Sequence, residues 1–255
     1  MVQIIKRLSF SLAAILVLTF VVVGQKREDV LIAKVYKSSQ GRTMPYRLYI
    51  PDSYDKQKKY PLVLYLHGGG GVGDDNRKQI EAGNAYIVGL LVSRSTQAKN
   101  PSIIVVPQAP DEGWIGPDLT TPSRYLSLVL DLIKELETSY SIDANRRYVL
   151  GQSMGGFGVF AILTMSPHMF AAAVPVCGGG DESKATQIAH VPIWAFHGEL
   201  DQAVKVERSR NMIAALTKAG GKPKYTEYKG EGHNVWTRVV TEPELLPWMF
   251  SQKRS

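Results

Sequence analysis

Six short apolar runs, at 46–50, 62–66, 103–106, 148–150, 172–176 and 193–196, recur along the chain with helical patterns between them. Most are continuous rather than alternating and rich in β-branched residues. A strand of that kind hides both faces, as strands do in a parallel sheet sandwiched between helices. Leu126, Val129, Leu130, Ile133 and Leu136 fall at helical spacing after the capping candidate Ser123. Val206, Met212, Ile213 and Leu216 do the same before the stop Gly220-Gly221. The alternation predicts an α/β fold: a mostly parallel, doubly wound sheet flanked by helices. With 255 residues and 44% apolar content, one large core can form. No linker divides residues 25–255, which are expected to be a single domain without a large cap.

Three stretches depart from this rhythm, and each starts where a strand ends. They are "HGGGGVGDDN" (67–76), "PQAPDEGWIGPDLTTP" (107–122) and "GQSMGG" (151–156). Ligands of open α/β sheets bind at the carboxyl ends of the strands. In the third stretch, Gly-x-Ser-x-Gly lies between a strand and the helix-compatible "FGVFAILTM". That is the pattern of a nucleophile elbow, a strained corner that lifts the Ser153 hydroxyl above the sheet. Gly151 and Gly155 leave space for the neighbouring strand and helix.

A serine hydroxyl needs a general base within hydrogen-bond reach, and a third group to orient that base. In this fold the chain order is Ser, then Asp or Glu, then His. Among the five histidines, His233 is the best placed, in the Gly-flanked loop "KGEGHNVW" after the strand "YTEY". His67 and His197 each follow a strand and precede a glycine, where they brace turns, and His168 and His190 read as surface or turn residues. Asp201, after "IWAF", is the leading acid; Glu199 and Asp181 remain rivals, and helix capping is the competing role for Asp201. Oxyanion donors are expected from the N–H of Met154 and from the loop after "LVLYLHG", Gly69 first and Gly70 second. That loop lacks the Gly-Lys-Ser/Thr ending of a nucleotide-binding loop.

The stretches "YPLVLYLHGGGGVGDDN", "GQSMGGFG", "FAAAVPVCGGG", "WAFHGELDQAV" and "GEGHNVW", in this order, resemble the α/β-hydrolase esterases. They are most similar to the secreted group related to polyhydroxybutyrate depolymerases and feruloyl or acetyl xylan esterases, and the likeness runs from about Tyr36 to Trp248. The resemblance implies Ser153 as nucleophile, Asp201 as acid and His233 as base, with Trp114 as a substrate wall. The chain departs from the group at Gly71-Val72, where its relatives usually carry Glu-Arg.

The remaining composition narrows the function class. The single Cys177 excludes an intramolecular disulfide framework and a zinc site built on several thiolates, and "PVCGGG" reads as the end of a buried strand. No metal or other cofactor is expected. The basic residues behind the net charge of +7 are scattered, so nucleic acid is not an expected partner. Lys6 and Arg7 precede an apolar run from Leu8 to Val23 that is short for a spanning helix. It reads as an export signal over residues 1–24, leaving a secreted or periplasmic protein without stable membrane association; an uncleaved anchor is the alternative. The expected activity is a serine esterase acting on short or aromatic acyl esters, carbohydrate-linked ones included, in an open cleft edged by Trp114 and Trp236. A serine peptidase of the prolyl oligopeptidase type would use the same triad, and a silent hydrolase fold would only bind. Edman sequencing of native exported protein is expected to begin at or near Gln25. Retention of Met1 would contradict cleavage.

Overall fold

In the computed structural model, which describes residues 30–254, the apolar runs become the centre of one eight-stranded sheet. The 8–23 run and the cleavage position lie outside the described residues. Among the described residues no helix is long and apolar enough to cross a membrane. The strands are β1 (Ile32–Lys37), β2 (Thr43–Tyr49), β3 (Tyr60–Leu66), β4 (Ile103–Pro107), β5 (Ile142–Gln152), β6 (Ala172–Val176), β7 (Trp194–Gly198) and β8 (Lys224–Tyr228). Their order is β1-β2-β4-β3-β5-β6-β7-β8. β1 and β2 join antiparallel, β2 joins β4 antiparallel, and every pair from β4 to β8 is parallel.

Side-chain alternation explains why the central strands are apolar at every position. Leu62, Leu64, Leu66, Ile103, Val105 and Val149 face a layer that includes the helix Arg124–Ser139, through Leu126, Val129 and Leu132. Their neighbours Val63, Tyr65, Ile104, Val106, Tyr148 and Leu150 face the opposite layer, against Ile87, Val88 and Leu91 of the helix Asn84–Val92. Each face is thus buried under helices, which is how parallel sheets are stabilised. Ser123 caps Arg124–Ser139 as expected, its hydroxyl accepting the Tyr125 N–H. The short edge strand β1 and the first six residues of β5 carry too little apolar signal to stand out: Ile32 and Val35 of β1 are exposed, and β5 opens with the polar stretch Asp143–Arg147.

The register brings the strand ends together where the chemistry sits. Leu66 pairs with Gly151 across β3 and β5, and Gln152 pairs with Val176 across β5 and β6. The helix Met154–Met165 leaves the end of β5 so close to β3 that a Cβ at Gly155 would overlap the Leu66 carbonyl oxygen and press on that of His67. A Cβ at Gly151 would overlap the backbone of Gly155. Backbone cannot swing aside as a flexible side chain can. Gly155→Ala is therefore expected to cost about 3 kcal/mol and to lower the thermal midpoint by roughly 6–12 °C. A thermal melt within a degree or so of the parent would contradict this close approach.

Candidate active site

Ser153 occupies the corner between β5 and the helix Met154–Met165 with φ 54° and ψ −120°, a conformation that costs a non-glycine residue on the order of 1–3 kcal/mol. Two backbone bonds hold it there. Its N–H donates to the Val176 carbonyl at 2.8 Å, and its own carbonyl accepts from Phe157 N–H at 3.2 Å. The corner turns the hydroxyl out of the sheet toward the loop after β8.

That loop delivers His233. Its Nε2 lies 2.9 Å from Ser153 Oγ, and its Nδ1 lies 2.6 Å from Asp201 Oδ2. A neutral imidazole in this position donates Nδ1–H to the carboxylate and accepts the serine proton at Nε2. Asp201 follows β7 and is 2% exposed. Its Oδ1 accepts the N–H groups of Ala203 at 2.9 Å and Val204 at 2.8 Å. Burial works against its charge, but the His233 bond and these backbone donors outweigh that, and its pKa is lowered from the ordinary carboxylate value. Oδ1 thus fills the capping role weighed for this residue, while Oδ2 faces His233.

The rival acids have other tasks. Glu199 accepts the Gly230 N–H at 2.9 Å and so anchors the loop that carries His233. Asp181 caps its own turn by accepting from Ser183. His168 and His190 are exposed and lie tilted against each other, with their ring centroids 4.9 Å apart. Cys177 is fully buried at the end of β6, and its thiol donates to the His233 carbonyl at 3.4 Å. Among the described residues, Cys177, Asp201 and His233 bring three possible metal-ligand atoms within 4.8 Å. Burial pushes the thiol pKa well up, and the imidazole Nδ1 is already bonded to the carboxylate. The cluster is thus a poor thiolate ligand set.

Met154 is the first residue of its helix, where a backbone N–H has no intrahelical acceptor. Gly69 opens a short 3₁₀ turn, Gly69–Gly71, exposed beside the elbow. The loop is set by its neighbours: Gly68 packs on Gln152, and its N–H donates to Asn84 Oδ1 at 2.9 Å. His67 braces it from below, as expected. Its Nε2 accepts the Ala109 N–H at 3.1 Å, which leaves Nδ1–H to donate to the Gly68 carbonyl at 2.8 Å.

The expectation for Trp114 is corrected. Its side chain is fully buried, tilted against the His67 ring with centroids 4.8 Å apart, and its Nε1–H donates to the His67 carbonyl at 2.9 Å. A large ring with one polar atom satisfied inside is a strut between two loops, not a cleft wall. Trp236 is likewise buried and meets His233 edge-on from behind. The cleft itself, about 780 Å³, opens on Ser153 and is walled by Ile115, Pro117, Leu119, Met154, Phe157 and Val204. Isolated apolar residues in an irregular loop carry no periodic signal, so these walls did not stand out in the sequence.

Comparison with known proteins adds to this geometry. The family model described as "Putative esterase" matches residues 38–210, a span that contains Ser153 and Asp201 and stops before His233. The protein named "Probable feruloyl esterase C" of Aspergillus flavus is 28% identical over 210 residues, 78% of this chain and 72% of the relative. A bifunctional acetylxylan esterase/xylanase of Neocallimastix patriciarum is 26% identical over 70% of this chain and 24% of its own length. A solved thermostable esterase superposes with a TM-score of 0.84 at 37% identity, over 89% of this chain and 64% of that one. A solved ferulic acid esterase shares the fold at a TM-score of 0.66 and 18% identity.

The buried brace makes the site acid-sensitive in a defined direction. Burial lowers the His67 pKa from 6.5 to about 4. Between these values the unfolded chain binds the extra proton and the folded chain does not, so stability falls as pH drops from 6.5 toward 4. His67 alone is expected to account for on the order of 3 kcal/mol of that loss. Urea unfolding at pH 7 and pH 4 should show a smaller difference for His67→Gln than for the parent. An identical pH dependence in the two proteins would contradict the assignment.

Proposed function

From the premise that this chain belongs to the esterase family, we propose that it is an exported serine esterase that cleaves carboxylic esters through a covalent Ser153 acyl-enzyme. The single observation that carries the mechanism is the unbroken hydrogen-bond chain Ser153 Oγ–His233–Asp201 at the mouth of an apolar cleft. Ser153 Oγ attacks the ester carbonyl carbon as its proton passes to His233 Nε2. The buried Asp201 carboxylate holds the imidazole in the Nδ1–H form and stabilises the imidazolium that results. Met154 N–H and Gly69 N–H face the developing oxyanion. His233 then returns the proton to the leaving alcohol, and water, activated by the same base, releases the acid.

The cleft volume, about 780 Å³, lies within the range of small-molecule sites. Phe157, Met154, Ile115 and Leu119 offer faces for a planar ring or a short acyl chain. The names borne by the feruloyl and acetylxylan esterase relatives agree with such acyl groups on carbohydrate. The apolar N-terminal run supports export.

Ser153→Ala and His233→Ala are each expected to lower turnover by roughly 10⁴- to 10⁶-fold with the fold retained, and Asp201→Asn by about 10⁴-fold. Asp181→Asn should leave turnover near the parent. A substrate panel of acetyl, butyryl, palmitoyl, feruloyl and peptide compounds tests the specificity. The expected ranking places acetyl, butyryl and feruloyl esters above palmitoyl esters and peptides. A kcat/KM that climbs steadily from butyryl to palmitoyl would overturn the acyl preference, and a preference for peptides would overturn the esterase reading.

A further inference from the structure

Asp201 has one neighbour that the proton relay above does not use. His197, the fourth residue of β7, is fully buried, and its Nε2 lies 3.2 Å from Asp201 Oδ2, the oxygen that His233 also holds. The same Nε2 lies 2.9 Å from the Val204 carbonyl oxygen. Both atoms facing Nε2 are acceptors, so a bare lone pair there would be repelled twice, and Nε2 must carry the proton. Burial lowers the pKa of this ring, which keeps it neutral. Nδ1 is then the acceptor: the Ser209 hydroxyl lies 2.7 Å from it and 2.8 Å from the Gly178 carbonyl oxygen, and in this tautomer its single proton goes to Nδ1. The nearby charges of Glu227 and Arg210 satisfy each other at 2.6 Å.

We propose that His197 is a positioning residue for the ester hydrolysis, fixing the Asp201 carboxylate by donating its Nε2 proton to Oδ2 and to the Val204 carbonyl. The need for it follows from the geometry. Ala203 and Val204 N–H groups pin Oδ1, which leaves the carboxylate free to pivot about that point. Without His197, Oδ2 would lose a ring N–H donor and depend chiefly on His233, the ring it has to orient, with the weakly donating Cys177 thiol nearby. The Val204 contact also ties this brace to the wall of the cleft.

The inference rests on the reading of Ser153, His233 and Asp201 as the triad, and two measurements separate the claims. In native protein labelled with ¹⁵N-histidine, long-range ¹H–¹⁵N spectra at about pH 7.5 should show His197 as the neutral Nε2–H tautomer. An Nδ1–H tautomer would overturn the proposal, and this result needs no variant to fold. His197→Asn removes the donor at the Nε2 position, whereas the side-chain amide of His197→Gln reaches it. With a soluble butyryl ester, His197→Asn should lower kcat about 10- to 100-fold, the scale of one hydrogen bond to a charged group, with KM within about twofold. His197→Gln should recover most of the lost kcat. Equal kcat in the two variants would overturn the proposal. If Ser153→Ala retains turnover, the triad reading itself fails; if Ser153→Ala is inactive and His197→Asn behaves as the parent, only the role of His197 fails.

Discussion

The backbone contact between Gly155 and the carbonyl oxygens of Leu66 and His67 sets the geometry of everything around it. It draws the first turn of the helix Met154–Met165 against the end of β3, which leaves the β5-to-helix corner so tight that Ser153 takes a positive φ. It also lays the glycine loop after β3 alongside the nucleophile. A hydroxyl raised above the sheet and a glycine loop beside it are consequences of the one close approach. The strain at Ser153 persists because the Val176 and Phe157 bonds and the buried helix behind it over-determine the corner.

Three histidines surround this corner, and their environments divide the work. His67 and His197 are fully buried and held neutral by desolvation, with protons on opposite nitrogens: Nδ1 in His67 and Nε2 in His197. Each brace is fixed by what faces it, an N–H donor for His67 Nε2 and two acceptors for His197 Nε2. His233 alone is part-exposed and bonded to the serine. The buried carboxylate of Asp201 would be costly alone, and two backbone N–H groups and two imidazoles offset that cost.

Much of this was legible in the sequence, for physical reasons. Strands buried on both faces are apolar at every position, so β3, β4, β6 and β7 stood out, and the glycines of "GQSMGG" marked a corner where side chains do not fit. Ser153, Asp201 and His233 followed from chain order and loop position. What stayed hidden has a physical reason too. β1 is a half-exposed edge strand whose pattern is weak, and β5 begins in polar residues. The resemblance to the esterase group implied Trp114 as a wall, yet the loop folds its ring inward beside His67. His197 looked like an ordinary turn brace, since nothing in "FHGELDQAV" tells that the ring turns back onto the carboxylate four residues later.

The central claim is that Ser153 is an activated nucleophile because His233 and Asp201 are aligned behind it. Intact-mass and peptide mapping after treatment with a fluorophosphonate probe tests this without any assumption about substrate. The account predicts one adduct per folded chain, located on Ser153, with the labelling rate falling by orders of magnitude in His233→Ala. Folded protein that takes up no label, or a label placed on another residue, would contradict it.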